Sequence, residues 1–564
     1  MKKLLALVLA LLMLSVSALA ELPDYINTDS ELPIVKAGEV VELDIVETQL
    51  PGWGNAGDLW WWKFVEDQMN IKVNVVQAQD ISLYKSLAFS SNELPDIFIS
   101  GNFSSSQLVQ YGALEGQILD LMPYVNEEYM PNFYKMTQDM PDLLSRVSTS
   151  DGKLYSLPFI EGTELRGIAC HAGGSRYFVN TKLLDEIGAE IPVDLDDFIN
   201  VLRDMKAYDE NIVPLGGSAA STNPGALILI AMGYLTSDSW GLTPCLRNGE
   251  VVIPAGDREL FGEYLSIMHD LWSEGLIEED FFTLDGNAVN ARMAQNEYGV
   301  FGQVAYLTLP NSFQDWWHVE PLTSEWNATQ QWPTKSINLD STATTISTGN
   351  FVITTACPEE KLAAALRFAD WFYNENSTNF GLSWWGPSAE FISANDISYG
   401  ITQGWVMDPE TRAFVYLDTN DGTKDYQFRC EHVIGIHSGQ GWGNGLYTSV
   451  VPQIMAGLET DPSKLTTALD PNNGDDHYRI SEIAMVRDHL VTMFPDITFF
   501  DADEVIAIGD YSVLIGGYVK EETAKFVTGL RPLSELDSYF DALDAMGFND
   551  WLQIYVDYYD GLTK

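Results

Sequence analysis

The strongest constraint on the fold is a regular change of hydrophobic period early in the chain. Val41, Leu43 and Ile45 alternate with acidic residues, and this period of two predicts a strand with one buried face. Apolar residues then recur at helical spacing after Asp58, and a second alternating segment starts at Ile71. Strands that alternate with helices favour a parallel sheet joined by crossover helices. We therefore expect an α/β fold.

Punctuation residues place further elements along the chain. The apolar run Ile97–Ile99 is short and bounded by turn residues, which is typical of a buried parallel strand. Gly188 is predicted to end one helix, Asp194 to cap the next, and Pro358 to open a third. Gly547 divides the tail of the chain into two predicted helices.

Two long stretches lack such signals. Residues 310–350 and 375–445 are rich in Gly, Ser, Asn, Thr and Trp, so they are predicted to be loops. No internal repeat is visible. The chain has 564 residues, of which 46% are hydrophobic, so it can bury more than one core and is expected to form more than one compact lobe.

The first twenty residues have the features of a secretory signal peptide. Lys2 and Lys3 precede an unbroken apolar run over residues 4–14, and small residues follow up to Ala20. We expect cleavage between Ala20 and Glu21. The mature protein would then be extracellular or held in the cell envelope, in the periplasm if the cell has two membranes.

The cysteines give no sign of a lipid anchor or a metal site. A lipoprotein needs a cysteine just after the apolar run, but the first cysteine is Cys170, so lipid anchoring is not expected. The four cysteines form no Cys-x-x-Cys pair, which argues against zinc and redox motifs. Zero, one or two disulfides remain open, with three connectivities if all of them pair: the residues are Cys170, Cys245, Cys357 and Cys430.

The charge balance excludes one class of partner. Lys and Arg number 30 against 81 Asp and Glu, for a formal net charge of -51, so nucleic acid is not an expected partner. The acidic surface is expected to keep the protein soluble, and it says little about a ligand.

A series of short motifs extends, in order, over most of residues 40–564. The motifs occupy residues 93–98, 151–158, 177–181, 183–188, 196–198, 298–302, 358–374 and 546–548. Together they resemble the family 1 extracellular solute-binding proteins, long relatives of maltose-binding protein that serve ABC importers. The missing lipoprotein cysteine is a departure from most of these relatives.

The resemblance implies a two-lobe, periplasmic-binding-protein-like (type II) fold, with a hinge that the chain crosses more than once. Lobe one would contain residues 21–160 and 308–380, and lobe two residues 161–307 and 381–564. It further implies a binding protein that captures a small organic solute between its lobes and delivers it to ABC transporter membrane subunits. An oligosaccharide is the first expectation for the solute, and a monomer is expected.

A sugar site needs aromatic planes for the C–H face and polar side chains for the hydroxyl rim. Trp53 and Asn55 follow the first predicted strand, where ligands of α/β sheets bind. Asp96 is placed by the family motif alone, and its alternative role is to cap a turn. Arg176 is a candidate for binding a hydroxyl pair or a carboxylate, with a surface salt bridge as the equal alternative.

Several aromatic residues occupy segments with little periodicity, where a large ring has less obvious work in a core. The candidates for ligand contact are Trp240, Tyr306, Trp384, Trp385 and Trp442. Each of them could instead fill the core of its own lobe. Trp62 lies on an apolar helix face and is expected to be core.

Other functions have weaker signals. A secreted glycoside hydrolase needs two positioned carboxylates. With 81 acidic residues in the chain, many pairs could meet that requirement, so it gives no specific evidence for a hydrolase. The chain has no His-Glu-x-x-His or Gly-x-Ser-x-Gly motif, and it has neither a phosphate loop nor a dinucleotide fingerprint, so no cofactor is expected. Part of a calcium loop is suggested at four residues, for which a solvated acidic turn is the preferred interpretation: Asp418, Asn420, Asp421 and Asp425. Acidic sugars and peptides remain open as ligands.

Overall fold

The computed structural model describes residues 22–48, 55–141, 143–162, 177–302, 315–334, 343–374, 382–383, 386–395, 397–407, 414–418, 428, 431–433, 489–495 and 497–563. The strands in this part of the chain are β1 (Val41–Thr48), β2 (Ile71–Ala78), β3 (Ile97–Ile99), β4 (Leu157–Gly162), β5 (Phe178–Asn180), β6 (Val213–Gly216), β7 (Cys245–Arg247), β8 (Glu250–Val252), β9 (Tyr298–Phe301), β10 (Trp316–His318), β11 (Trp332–Thr334), β12 (Ala343–Ile353), β13 (Trp405–Met407), β14 (Phe414–Tyr416) and β15 (Leu490–Thr492).

The α-helices are α1 (Trp60–Met69), α2 (Ile81–Ser91), α3 (Ser105–Leu108), α4 (Pro131–Asp139), α5 (Leu143–Val147), α6 (Thr181–Ile187), α7 (Leu195–Tyr208), α8 (Pro224–Ala231), α9 (Phe261–Ser273), α10 (Gly286–Ala294), α11 (Glu359–Trp371), α12 (Ala389–Asn395), α13 (Ala502–Val527), α14 (Leu536–Ala545) and α15 (Phe548–Thr563). Among the helices of the described ranges, none combines the length and the apolar character that crossing a membrane requires.

The chain divides into two compact units. Unit 1 contains Met1–Ile160 and Ser347–Ile454, and unit 2 contains Glu161–Ile346 and Met455–Lys564. These bounds differ from the expected lobes in two places, because the chain returns to unit 1 at Ser347 rather than at 308 and stays there beyond 380.

Strand and side-chain contacts explain both differences. β10 pairs antiparallel with β5, which ties residues 316–318 to the sheet of unit 2. Beyond residue 380, the Phe391 ring lies 6.4 Å from that of Phe64, and the Tyr399 hydroxyl bonds to the Asp67 carboxylate. Both partners belong to unit 1, so this stretch extends the core of that unit.

Unit 1 is built on a five-stranded sheet with the order β2-β1-β3-β12-β4. β1 pairs in parallel with β2 on one side and with β3 on the other, while β12 runs antiparallel to β3. The predicted β-α-β arrangement is thereby confirmed. All three residues of β3 are buried, because a central strand between two helical layers has no face toward water.

Unit 2 has a four-stranded sheet with the order β10-β5-β9-β6, in which β9 and β6 are parallel. Both of its faces are buried. Neighbouring residues of β9 point to opposite sides, Val300 into the cluster formed by α7, α9 and the tail helices, and Phe301 into a second cluster with Val289 and Met293 of α10.

Local end signals hold in the structure. The Asp194 carboxylate accepts from the Asp197 N–H at 2.9 Å and so caps α7, and α6 ends at Gly188. α11 follows Pro358, as predicted. Gly547 separates α14 from α15.

The loops predicted for residues 310–350 and 375–445 are wrong in part. The first stretch contains β10, β11 and most of β12, and the second contains α12, β13 and β14. A strand of three residues is too short to show a hydrophobic period. Most residues of β12 are Thr, Ser, Gly or Asn, which are typical of loops. β10, β11 and β12 are strands because each pairs with a strand far away in the sequence, whereas β13 and β14 pair with each other.

Candidate functional site

The candidate site in unit 1 is the edge of the sheet at which β1 and β3 end. The order of strands reverses here, because β2 and β3 lie on opposite sides of β1. Ligands of open α/β sheets bind at the carboxyl ends of the strands at such a point. The two ends are linked, since the Thr48 hydroxyl donates to the Ser100 carbonyl at 3.2 Å.

The loop after β3, which we call the β3 loop (residues 100–103), is held in an unusual conformation. Ser100 and Asn102 have positive φ angles of 53° and 48°. The Phe103 N–H donates to the Gly349 carbonyl at 2.9 Å. Gly349 itself has a φ of +82°, and a Cβ there would lie 1.8 Å from the Phe103 oxygen, so this close approach requires glycine. The Asn102 side chain is left exposed at the edge.

The loop is also supported from beneath by a buried ammonium group. Lys85 of α2 is 2% exposed, and its Nζ donates to the Asn102 carbonyl at 2.7 Å and to Gln107 Oε1 at 3.2 Å. Burial lowers the pKa of Lys85 to about 8.

Asn55 stands at the start of the segment that leads into α1. It precedes a 3-10 turn, Ala56–Asp58, which is anchored by the buried Ala56 and Leu59. The Asn55 side chain is exposed and donates to the Asp58 carboxylate at 3.2 Å. The ligand contact predicted for Asn55 stays a prediction.

Unit 2 has a polar edge of the same kind. β6 and β9 end together, since Gly216 pairs with Phe301, and the loop after β6 is left partly exposed at Ser221, Thr222 and Asn223. Thr222 and Asn223 both have positive φ. Strained residues of this kind cluster at ligand sites. The Tyr177 hydroxyl fixes the loop by donating to the Asn223 carbonyl at 2.8 Å.

Asp96 lies at the opposite end of β3 from this edge. Its side chain is buried, with the residue 5% exposed, and its carboxylate accepts from the Asp44 N–H at 2.9 Å and from Lys361 Nζ at 3.2 Å. The Asp96 carbonyl accepts from the Thr354 N–H. Asp96 therefore joins β1, β3 and α11 inside unit 1, and the predicted ligand contact has no support from its position.

Trp240 packs against the core of unit 2. Its ring centre lies 5.4 Å from that of Phe282, and Lys520 Nζ lies 5.8 Å from the indole. The backbone N–H of Trp240 donates to Asp238 at 2.9 Å. Trp240 therefore has the alternative role that the sequence analysis left open, which is to fill the core of its own lobe. Trp62 is 5% exposed and belongs to the core of unit 1, as predicted.

The other predicted contacts lie outside the described residues. They are Trp53, Arg176, Tyr306, Trp384, Trp385 and Trp442. Two residues of the edge in unit 1, Asn102 and Lys85, were not predicted. The rule that selected Asn55, a polar residue just after a parallel strand, selects Asn102 as well. No sequence signal marked Lys85.

The described residues contain no group of three or more His, Cys, Asp or Glu side chains that could hold a metal ion. Asp418 caps a turn, because its carboxylate accepts from the N–H groups of Thr402, Gln403 and Gly404. Cys245 and Cys357 are free thiols. The other residues of the suggested calcium loop and the other two cysteines lie outside the described residues: Asn420, Asp421, Asp425, Cys170 and Cys430.

Comparison of sequences finds relatives among transport proteins. The chain is 26% identical over 228 residues to the fructooligosaccharide ABC transporter substrate-binding protein FusA of Streptococcus pneumoniae, a match that covers 39% of this chain and 42% of FusA. It is 26% identical over 233 residues to the melibiose/raffinose/stachyose-binding protein MelE of Bacillus subtilis, covering 39% of this chain and 47% of MelE. The chain thus spans less than half the length of these relatives. No protein-family model matches it.

Comparison of structures covers nearly the whole chain. FusA in complex with kestose superposes with a TM-score of 0.70 at 19% identity, over 93% of this chain and 99% of FusA. A solute-binding protein of Bifidobacterium longum infantis that binds HMO gives a TM-score of 0.70 at 17% identity, over 93% and 99% of the two chains. The chain is therefore a relative of the ABC transporter substrate-binding proteins and has their two-lobe α/β fold, as the resemblance to family 1 solute-binding proteins predicted.

Proposed function

We propose that the protein is the substrate-binding component of an ABC importer and that it captures an oligosaccharide. The observation that carries the proposal is the sequence match to FusA and MelE, which are named for fructooligosaccharide and for melibiose, raffinose and stachyose. The expected partners are the membrane subunits of the transporter, and the expected state in solution is a monomer.

The chemistry of the two sheet edges supports a neutral, hydroxyl-rich ligand. The side chains exposed or partly exposed there include uncharged hydrogen-bonding groups: Asn102 in unit 1, and Ser221, Thr222 and Asn223 in unit 2. Amides and hydroxyls both donate and accept, which suits sugar hydroxyls better than a charged ligand. We propose that aromatic rings of the predicted set, Trp53 and Trp442 first, stack on the sugar faces.

Binding alone accounts for this role, and no catalytic step is required. The relatives are binding proteins by name. We therefore expect raffinose, stachyose and kestose to be recovered intact after long incubation with the protein. Release of monosaccharide would favour the hydrolase alternative.

A thermal-shift screen tests the ligand class. A ligand that binds only the folded protein at about a hundred times its Kd adds roughly 2.7 kcal/mol of stability. We expect that gain with at least one of kestose, raffinose, stachyose and melibiose. A panel in which peptides raise the Tm and saccharides do not would contradict the proposal.

Single substitutions test the edge of unit 1. Trp53→Ala should weaken saccharide binding by about 1–3 kcal/mol, the loss of a buried ring, without lowering the Tm of the free protein. Asn102→Ala should also weaken binding. Its matched control is Asn248→Ala, because Asn248 is an exposed asparagine of positive φ in the turn between β7 and β8. Equal affinities for the two asparagine variants would remove Asn102 from the site.

Export is proposed on the basis of the N-terminal sequence, which lies outside the described residues. The basic start, the apolar run and Ala20 support cleavage by signal peptidase. Mass spectrometry of the secreted protein should find Glu21 at the N-terminus and no lipid mass. An intact Met1 would contradict cleavage.

A further inference from the structure

Helix α2 turns a lysine inward and leucines outward. Lys85 is 2% exposed, whereas Leu83 and Leu87 on the same helix are 57% and 60% exposed. The Lys85 ammonium lies 4.5 Å from the centre of the Phe103 ring, in addition to its bonds to the Asn102 carbonyl and the Gln107 side chain. All three contacts belong to the β3 loop or to the helix that follows it.

The contacts of this ammonium are neutral. Its partners are a carbonyl, an amide oxygen and an aromatic ring, and no acidic side chain of the described ranges forms an ion pair with it. Burying a charge without an opposite charge is unfavourable. An apolar residue of similar length would stabilise the fold better at this position. A contribution to stability therefore does not explain why the residue is a lysine.

The two hydrogen bonds of the Lys85 ammonium join the β3 loop to helix α3. Asn102 is the left-handed residue whose side chain is exposed at the sheet edge. Gln107 completes the capping box of α3, since its side chain accepts from the Ser104 N–H at 3.1 Å while the Ser104 hydroxyl accepts from the Gln107 N–H. The ammonium thus connects the loop to the start of the next helix.

We propose that Lys85 is a positioning residue of the saccharide site, holding the β3 loop so that Asn102 is presented at the sheet edge. The proposal rests on the proposed function. Without the ammonium, the Asn102 carbonyl loses a charge-assisted hydrogen bond, and the left-handed backbone of Asn102 loses the contact that offsets its strain.

Two variants of unit 1 test the proposal, Lys85→Met and the matched control Lys361→Met. Kestose, raffinose and stachyose are titrated against each protein, and amide hydrogen exchange is followed in peptides that cover residues 98–108. Lys85→Met should weaken saccharide binding about tenfold, the effect of one misplaced hydrogen bond, and should speed exchange in the β3 loop. Lys361→Met should alter neither, because Lys361 bonds Asp96 at the other end of β3.

The wild-type protein gives an independent measurement if Lys85→Met does not fold. The groups that the ammonium contacts do not titrate, and the titratable residues beside it on α2 are Tyr84, whose pKa is raised by burial, and the capping Asp80. Between pH 7 and pH 9.5 exchange in the β3 loop, corrected for intrinsic rates, should therefore rise as Lys85 loses its proton, and saccharide affinity should fall with it.

The outcomes separate the two proposals. If the wild type binds none of the three saccharides, the proposed function fails and the role of Lys85 in it fails as well. If the wild type binds but Lys85→Met keeps its affinity, or keeps native exchange in the β3 loop, the inference about Lys85 alone is overturned. A flat pH profile of exchange and affinity also overturns it.

Discussion

The partners of Asp96 determine what this carboxylate does. It accepts from the Asp44 N–H and from Lys361 Nζ, and it is buried. Asp96→Ala would leave the Asp44 N–H and the partly buried Lys361 ammonium without this acceptor, which should cost about 1–3 kcal/mol of unfolding free energy. Urea unfolding measures that loss, and saccharide affinity should stay unchanged.

Asp44→Ala is the control for Asp96→Ala. The Asp44 side chain is exposed and accepts from Asn74, so its removal should have a small effect on stability. If Asp96→Ala abolished saccharide binding while the protein remained as stable as the wild type, Asp96 would be a ligand residue, as the family motif suggested.

Asp370 should make stability depend on pH. It is 2% exposed, and burial raises its pKa to about 7, although the N–H groups of Asn132 and Phe133 oppose the shift by donating to its carboxylate. The folded state then binds the proton more tightly than the unfolded chain, so this residue makes stability fall as pH rises from about 4 to 7. Below that window both states are protonated and the contribution is constant.

Asp370→Asn tests this sign, because an amide cannot ionise. The unfolding free energy of the variant, taken relative to wild type at each pH, should rise between pH 4.5 and pH 7.5. A difference that stays constant across this range would show that Asp370 is ionised throughout.

Helix α1 begins with three consecutive tryptophans, and all three are buried. Trp61 is fully buried, and its ring centre lies 5.5 Å from that of Trp371 and 5.7 Å from that of Phe372. Trp60 packs against Phe64 on the same helix at 5.3 Å. Burial on this scale occurs because α11 and the segment around Tyr399 pack against the helix from different sides.

Trp61→Ala should therefore lower the unfolding free energy by about 3–5 kcal/mol, and Trp61→Phe by less. Trp240→Ala is the comparison, because Trp240 is only partly buried. Chemical denaturation of the three variants measures their unfolding free energies and so ranks the three losses. A smaller loss for Trp61→Ala than for Trp240→Ala would contradict the packing described for α1.

The molecule as a whole carries a large excess of negative charge, with 81 acidic residues against 30 basic ones. Repulsion among them acts more strongly on the compact state than on the expanded chain. Raising the ionic strength from 0.01 M to 0.15 M shortens the screening length from about 30 Å to about 8 Å. The Tm should rise over this range.

The salt effect has a specific control. Sodium chloride and potassium chloride should act equally at equal ionic strength, because screening depends on charge and concentration rather than on ion identity. A Tm that falls with added salt would show that attractive ion pairs, such as Arg203 with Glu274, outweigh the repulsion.

The sequence alone determined the features whose cause is local. β1, β3, the cap at Asp194 and the break at Gly547 were predicted because hydrophobic period and capping hydrogen bonds involve residues close together in the chain. The ligand contact of Asn55 was predicted from similar local information, the end of a strand, and it stays a prediction.

Only the tertiary structure decided features that depend on distant partners. β10 is a strand because β5, far earlier in the chain, offers its edge. Asp96 is buried because Lys361 reaches it from α11. Lys85 points inward and Leu87 outward because the β3 loop supplies acceptors for an ammonium, and no periodicity within α2 could have revealed them.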